Sequence, residues 1–229
     1  MQSLNLFIIL LSLTCCQAKK QNTKAEPNTK KVFGNLVIAL GEEDNNKVQC
    51  VAGFTENNDE GDRVGLGSQA TVMLDSFALV FDPVAYPQYD TEIDTAHFTG
   101  PHTWTITRNN KQTSYSFISK DFKITSAIPA VVGKEDVKIA CNALQKNDKV
   151  TLLISGDYTD HSETIMDIEA ADGYFIISKA TWDKIEGTNL FMHFNLSSIQ
   201  QIPPDDCLAI GGILEATRVT RQYAFRLVR

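Results

Sequence analysis

The chain has 229 residues, 43% of them hydrophobic, with 21 Lys plus Arg against 28 Asp plus Glu and a formal charge of −7. An acidic balance repels phosphate backbones and anionic lipid, so the composition argues against nucleic-acid binding. Only Cys50, Cys141 and Cys207 lie beyond the first sixteen residues, and an odd set of three does not make a disulfide framework.

The apolar run from Leu4 to Leu13 is too short to span a bilayer core and matches the core of a secretory signal, predicted over residues 1–18. Two processing routes fit its end. Cys16-Gln17-Ala18 has small-x-small spacing, whereas Leu13-Thr14-Cys15-Cys16 is lipobox-like, with Cys16 as the acylated lipid anchor. Residues 19–31 then carry Lys19, Lys20, Lys24, Lys30 and Lys31 against Glu26, with no aromatic or branched aliphatic side chain. Such a segment lacks the surface to fold and reads as a solvated tether. Without its charges, the remaining body holds 16 basic and 27 acidic residues, a balance of −11.

From Val32 onward, period-two alternation predicts strands. It runs through Leu36-Ile38-Leu40, Val48-Cys50-Ala52-Phe54, Val72-Leu74, Trp104-Ile106 and Tyr115-Phe117 in the first half. In the second half come Val137-Ile139-Cys141, Val150-Leu152-Ile154, Leu190-Met192-Phe194-Leu196 and Tyr223-Phe225-Leu227. Two hairpin turns stand out. Asp172-Gly173 is expected to form the mirror-image turn with positive φ at both central residues, and Arg108-Asn109-Asn110-Lys111 is the second. A short helix is predicted from Ser178 as cap, through Trp182 and Ile185, to Gly187. Gly211-Gly212 lies inside an apolar strand and predicts a bulge or a close backbone approach. The fold class is therefore all-β: two immunoglobulin-like β-sandwich domains in tandem, residues 32–121 and 122–229.

Candidate chemistry is sparse. His97, His102, His161 and His193 make no metal-ligand spacing. Carboxylates in two loops, Asp59 and Asp62 in the first and Asp157 and Asp160 in the second, could converge on calcium, although neither loop has the regular ligand ladder of known calcium loops. No Gly-x-Ser-x-Gly elbow or separated triad is visible, so no catalytic residue is assigned and enzymatic activity stays open. Cys141 and Cys207 could pair as a disulfide in an oxidising compartment, while their alternation also suits buried thiols. Tyr86 and Tyr89, stiffened by Pro83 and Pro87, are predicted as an exposed ligand-binding loop for a sugar or a partner surface.

The Cys-ended signal, the Lys/Asn/Thr tether and the two-sandwich body, together with the strand Gly100-Pro101-His102-Thr103-Trp104-Thr105-Ile106-Thr107, resemble exported lipoproteins of Bacteroidota. The resemblance is one of class and carries no catalytic motif. It implies an anchored, non-enzymatic role in the outer membrane or periplasm, with an envelope protein or glycan as partner and contact with membrane through the anchor alone. A structural or assembly subunit using its sheet edges, and a secreted hydrolase with an unrecognised site, are the alternatives.

Overall fold

The computed structural model describes residues 31–41, 47–84, 87–94, 100–156 and 163–228. The leader, Cys16 and the tether up to Lys30 lie outside these. The strands are β1 (Val32–Gly41), β2 (Lys47–Glu56), β3 (Thr71–Leu74), β4 (Phe77–Ala78), β5 (Val80–Asp82), β6 (Gln88–Asp94), β7 (Pro101–Arg108) and β8 (Lys111–Ile118). They continue as β9 (Val131–Val132), β10 (Val137–Ala140), β11 (Lys149–Ser155), β12 (Glu163–Ala171), β13 (Tyr174–Ile177), β14 (Asn189–Ile202), β15 (Gly212–Val219) and β16 (Tyr223–Leu227). One helical turn, α1 (Lys179–Trp182), interrupts them. The all-β expectation holds.

Local chemistry sets the turns. Asn109 and Asn110 both take positive φ, 54° and 60°, which Asn tolerates better than other side chains. They join β7 to β8 with Arg108 opposite Lys111. This pair makes the turn with two left-handed residues, and Asp172-Gly173 does not: only Gly173, at 81°, has positive φ. Gly173 is instead held by its neighbours, its N–H donating to the Leu144 carbonyl and its carbonyl accepting from the Cys141 N–H. Ser178 Oγ accepts from the Thr181 N–H at 3.1 Å, as a cap should. The helix ends after one turn, while Gly187 takes the predicted left-handed conformation at φ 102°.

The strands form two sheets. Four make a small sheet in the order β4-β3-β7-β8. The other twelve share one large sheet whose main path is β10-β13-β12-β11-β14-β15-β1-β2-β6-β5, with β16 bonded to β14 and to β9. Two apolar cores lie against it. The first packs Leu36, Ile38, Cys50 and Phe54 of the large sheet against Val72, Trp104, Ile106 and Phe117 of the small one. The second gathers Leu152, Phe194, Ile139, Phe175, Trp182 and Phe225. Residues of β10, β13, β11 and β14 all feed this second core.

The boundary drawn at residue 121 does not separate these cores. Ile202, Cys207, Leu208, Leu214 and Ala216 all pack into the first core, because β15 runs parallel beside β1 from Gly34↔Gly212 to Gly41↔Val219. Glycine at 212 makes this possible: a Cβ there would lie 2.3 Å from the Gly34 carbonyl oxygen. The close approach predicted for Gly211-Gly212 is thus the joint between the two halves. The connection from β14 to β15 is fastened to the small sheet. Tyr115 Oη donates to Asp205, Lys111 Nζ lies 2.7 Å from Asp206, and Arg108 Nη1 donates to the Cys207 carbonyl at 3.4 Å.

Candidate binding face

Tyr89 is not part of an exposed aromatic loop. It is 4% exposed, packs edge-on against Phe54 at 5.7 Å, and its hydroxyl accepts from the Leu66 N–H at 3.2 Å. The reason is its place on β6, where alternation turns it inward beside Ile93. Tyr86 lies outside the described residues.

The acidic loops divide the same way. Asp157 and Asp160 lie outside the described residues. Asp59 and Asp62 are exposed in a loop that satisfies itself: the Glu60 N–H donates to Asn58 Oδ1 at 3.1 Å and the Glu56 N–H to the Asp62 carbonyl at 3.0 Å. Among the described residues no group of three or more His, Cys, Asp or Glu gathers as metal ligands. Gly61 serves the bend, since a Cβ there would meet the Glu56 carbonyl oxygen at 1.8 Å.

The predicted Cys141–Cys207 bridge is corrected. Both are free, buried thiols, and they belong to different cores, Cys141 to the second and Cys207 to the first. Cys207 Sγ sits instead near the carbonyls of Ile106 and Lys111, at 3.4 and 3.6 Å. Burial pushes the Cys50 thiol up to about 12 and that of Cys141 to about 11, so at neutral pH these two are protonated packing groups rather than nucleophiles.

Among the described residues, two histidines are buried. His102 Nδ1 is 2.8 Å from Asp75 Oδ2, and Asp75 Oδ1 accepts from the Thr103 N–H at 2.8 Å. The pair pins the β3–β4 turn to β7, and at 2% exposure the imidazole offers a substrate no access. His193, on β14 between β11 and β16, is also 2% exposed, and neither ring nitrogen has a hydrogen-bond partner among the described residues. Burial without a partner disfavours the charged ring and lowers its pKa below the ordinary value. The folded protein therefore binds the proton less well than the unfolded chain. Stability is whole above about pH 6.5, the unfolded imidazole value, and falls as pH drops below it. In urea melts from pH 7.5 to 5, His193→Gln is expected to flatten this acid limb relative to wild type; parallel limbs would disprove it.

The small sheet supplies the other feature. On β7 the inward residues are His102, Trp104, Ile106 and Arg108, so Pro101, Thr103, Thr105 and Thr107 face out. Register sets Thr107 between Thr71 and Gln112, and Thr105 between Met73 and Ser114. Thr103 stands opposite Ser116 and Pro101 opposite Ile118, with Ala78 beside Met73. None of these eleven outward residues is charged, although 21% of the chain is. Six carry hydroxyls. Thr103 Oγ1 lies 3.1 Å from Ser116 Oγ, and Thr105 Oγ1 lies 3.3 Å from Ser114 Oγ.

Each bonded hydroxyl pair keeps one donor and three lone pairs free. Sheet geometry repeats such pairs every ~6.7 Å along a strand and spaces strands ~4.8 Å apart. Ile118, 71% exposed, and the half-buried Met73 add apolar surface at the margins. The face is a lattice of uncharged donors and acceptors with aliphatic edges, bordered beside Thr103 by the Asp75 carboxylate. Its signal was present in Thr103-x-Thr105-x-Thr107 and Ser114-x-Ser116, the polar half of alternations whose apolar half had marked the strands.

No family model matches the chain, and no curated protein is similar to it.

Proposed function

We propose that this chain is an exported, lipid-anchored, non-enzymatic cell-envelope protein that binds a neutral glycan on the outward face of β3, β7 and β8. Its two halves act as sandwich domains of the immunoglobulin kind fused through a shared sheet. The charge-free hydroxyl face carries the reading. Sugar hydroxyls exchange hydrogen bonds with water for equivalent bonds to Thr and Ser, while a Lys or Glu on that face would bring hydration that a neutral ligand has to strip. With Tyr89 inside the core, contact shifts from the predicted loop to this sheet. The acidic body agrees with a neutral partner, and Cys16 in its lipobox-like setting supplies the anchor in the outer membrane or periplasm.

The experiment is retention on insoluble neutral polysaccharides, cellulose, chitin and β-1,3-glucan, compared between wild type and Thr105→Lys/Ser114→Lys. Wild type is expected to be retained on at least one of them and the double variant to lose at least tenfold in affinity. Substitution at these outward sites leaves stability within about 0.5 kcal/mol per site, so an unchanged melt isolates the binding effect. Equal retention of both proteins, or of neither, overturns the reading. Mass spectrometry of the mature protein tests the anchor through the acyl mass on Cys16.

A further inference from the structure

Residues 47–94 hold nine Asp or Glu and two Lys or Arg, a balance of −7 that equals the net charge of the entire chain. This segment builds β2 to β6 and ends the large sheet at β5. β5 is bonded to β6 on one side and, among the described residues, to no strand on the other. Along that edge Val80 is 70% exposed, Phe81 38% and, just past the strand, Val84 88%. An open edge with aliphatic side chains is a template for strand addition, which most proteins blunt.

Here the edge is shaped. Val80 stands in register with Asp90 and Asp82 with Gln88 on one face, while Phe81 turns to the other and leans on Tyr89 at 4.9 Å. The Val84 N–H donates to Asp82 Oδ1 at 2.8 Å, fixing the chain as Pro83 ends the ladder. The two cations of the segment stand on β2 or beside it: Lys47 faces Asp94 in register, and the Arg63 guanidinium lies over Gly53.

We propose that β5 is a docking edge for an extended segment of a partner protein in which aliphatic residues alternate with Lys or Arg. Such a segment adds backbone hydrogen bonds along β5, covers Val80 and Phe81, and sets cations against Asp82 and Asp90. This chain's own tether has the charge, but between Gln17 and Lys31 alanine is its only aliphatic side chain besides Pro27. A second copy would bring two segments of −7 together, and like charges across a ladder are destabilising. The edge belongs to the large sheet, so this inference stands or falls apart from the glycan face on the small one.

The test is fluorescence anisotropy of the full mature chain with a labelled nine-residue peptide of alternating Lys and Val. Binding is expected in low salt, with at least a tenfold loss for a Glu-for-Lys peptide, for a peptide N-methylated at every second residue, and for Val80→Lys/Asp82→Lys. The single variant Val84→Lys, at the most exposed position, repeats the test should the double variant melt early. No binding, or equal binding by the N-methylated peptide or by the variants, overturns the proposal. So does competition by a peptide of residues 17–31 at equal affinity, which assigns the edge to the tether. A concentration-dependent dimer lost in the double variant overturns it in favour of a second copy.

Discussion

A chain ended at Arg218 is expected to lose the second core. The deletion removes β16, whose Phe225 and Leu227 are 4% and 5% exposed, and each large buried side chain is worth about 2 to 5 kcal/mol. It also removes Thr220, which stands in for a ladder partner beside Phe194: its hydroxyl accepts from the Phe194 N–H at 3.0 Å and its N–H donates to the Phe194 carbonyl at 2.9 Å. Trp182 loses the Phe225 ring 5.9 Å away. The summed loss rivals the 5 to 15 kcal/mol that holds a domain folded. The two tryptophans report separately, since Trp104 lies in the first core and Trp182 in the second. Red-shifted emission from Trp182, read in a Trp104→Phe background, is the expected result. An unchanged melting temperature would mean that β16 is not part of this core.

Side-chain alternation made the strands legible because a strand with one face in a core must alternate. Val48-Cys50-Ala52-Phe54 and Leu190-Met192-Phe194-Leu196 are buried as their spacing implies. The prolines misled at Tyr89: Pro83 and Pro87 make its neighbourhood look like a loop, although the residue itself sits at an inward position of β6 in step with Ile93. The union of the halves was hidden for a different reason. Parallel pairing of β1 with β15 joins residues about 180 apart, and nothing local in either strand encodes its partner. Gly212 is a trace of it, and a glycine by itself fits many roles. The hydroxyl face was hidden for another reason, since hydroxyl residues between buried ones look like ordinary solvent-facing positions until the register lines them up across three strands.

Residues 31–121 made alone are expected not to fold, although they contain eight of the sixteen strands among the described residues. They lack Ile202, Leu208 and Leu214 from the first core. At about 1.5 to 3 kcal/mol for each buried aliphatic side chain, their absence costs about 5 to 9 kcal/mol before any backbone effect. β1 would also become an exposed edge along its eight residues of pairing with β15, open to aggregation. Arg108, which burial already holds below its ordinary pKa, would lose the Cys207 carbonyl, and Tyr115 would lose Asp205. Trp104 emission near that of free tryptophan is the expected reading, with a blue shift on adding residues 122–229. The full-length variant Gly212→Val makes the same point without cutting the chain. Its Cβ would press on the Gly34 carbonyl, a backbone atom that cannot turn aside, and so push β15 off β1. Trp104 should then become exposed at lower urea than Trp182. A cooperative melt for residues 31–121 alone, or a wild-type midpoint for Gly212→Val, would show that the first core closes without the strand lent by the second half.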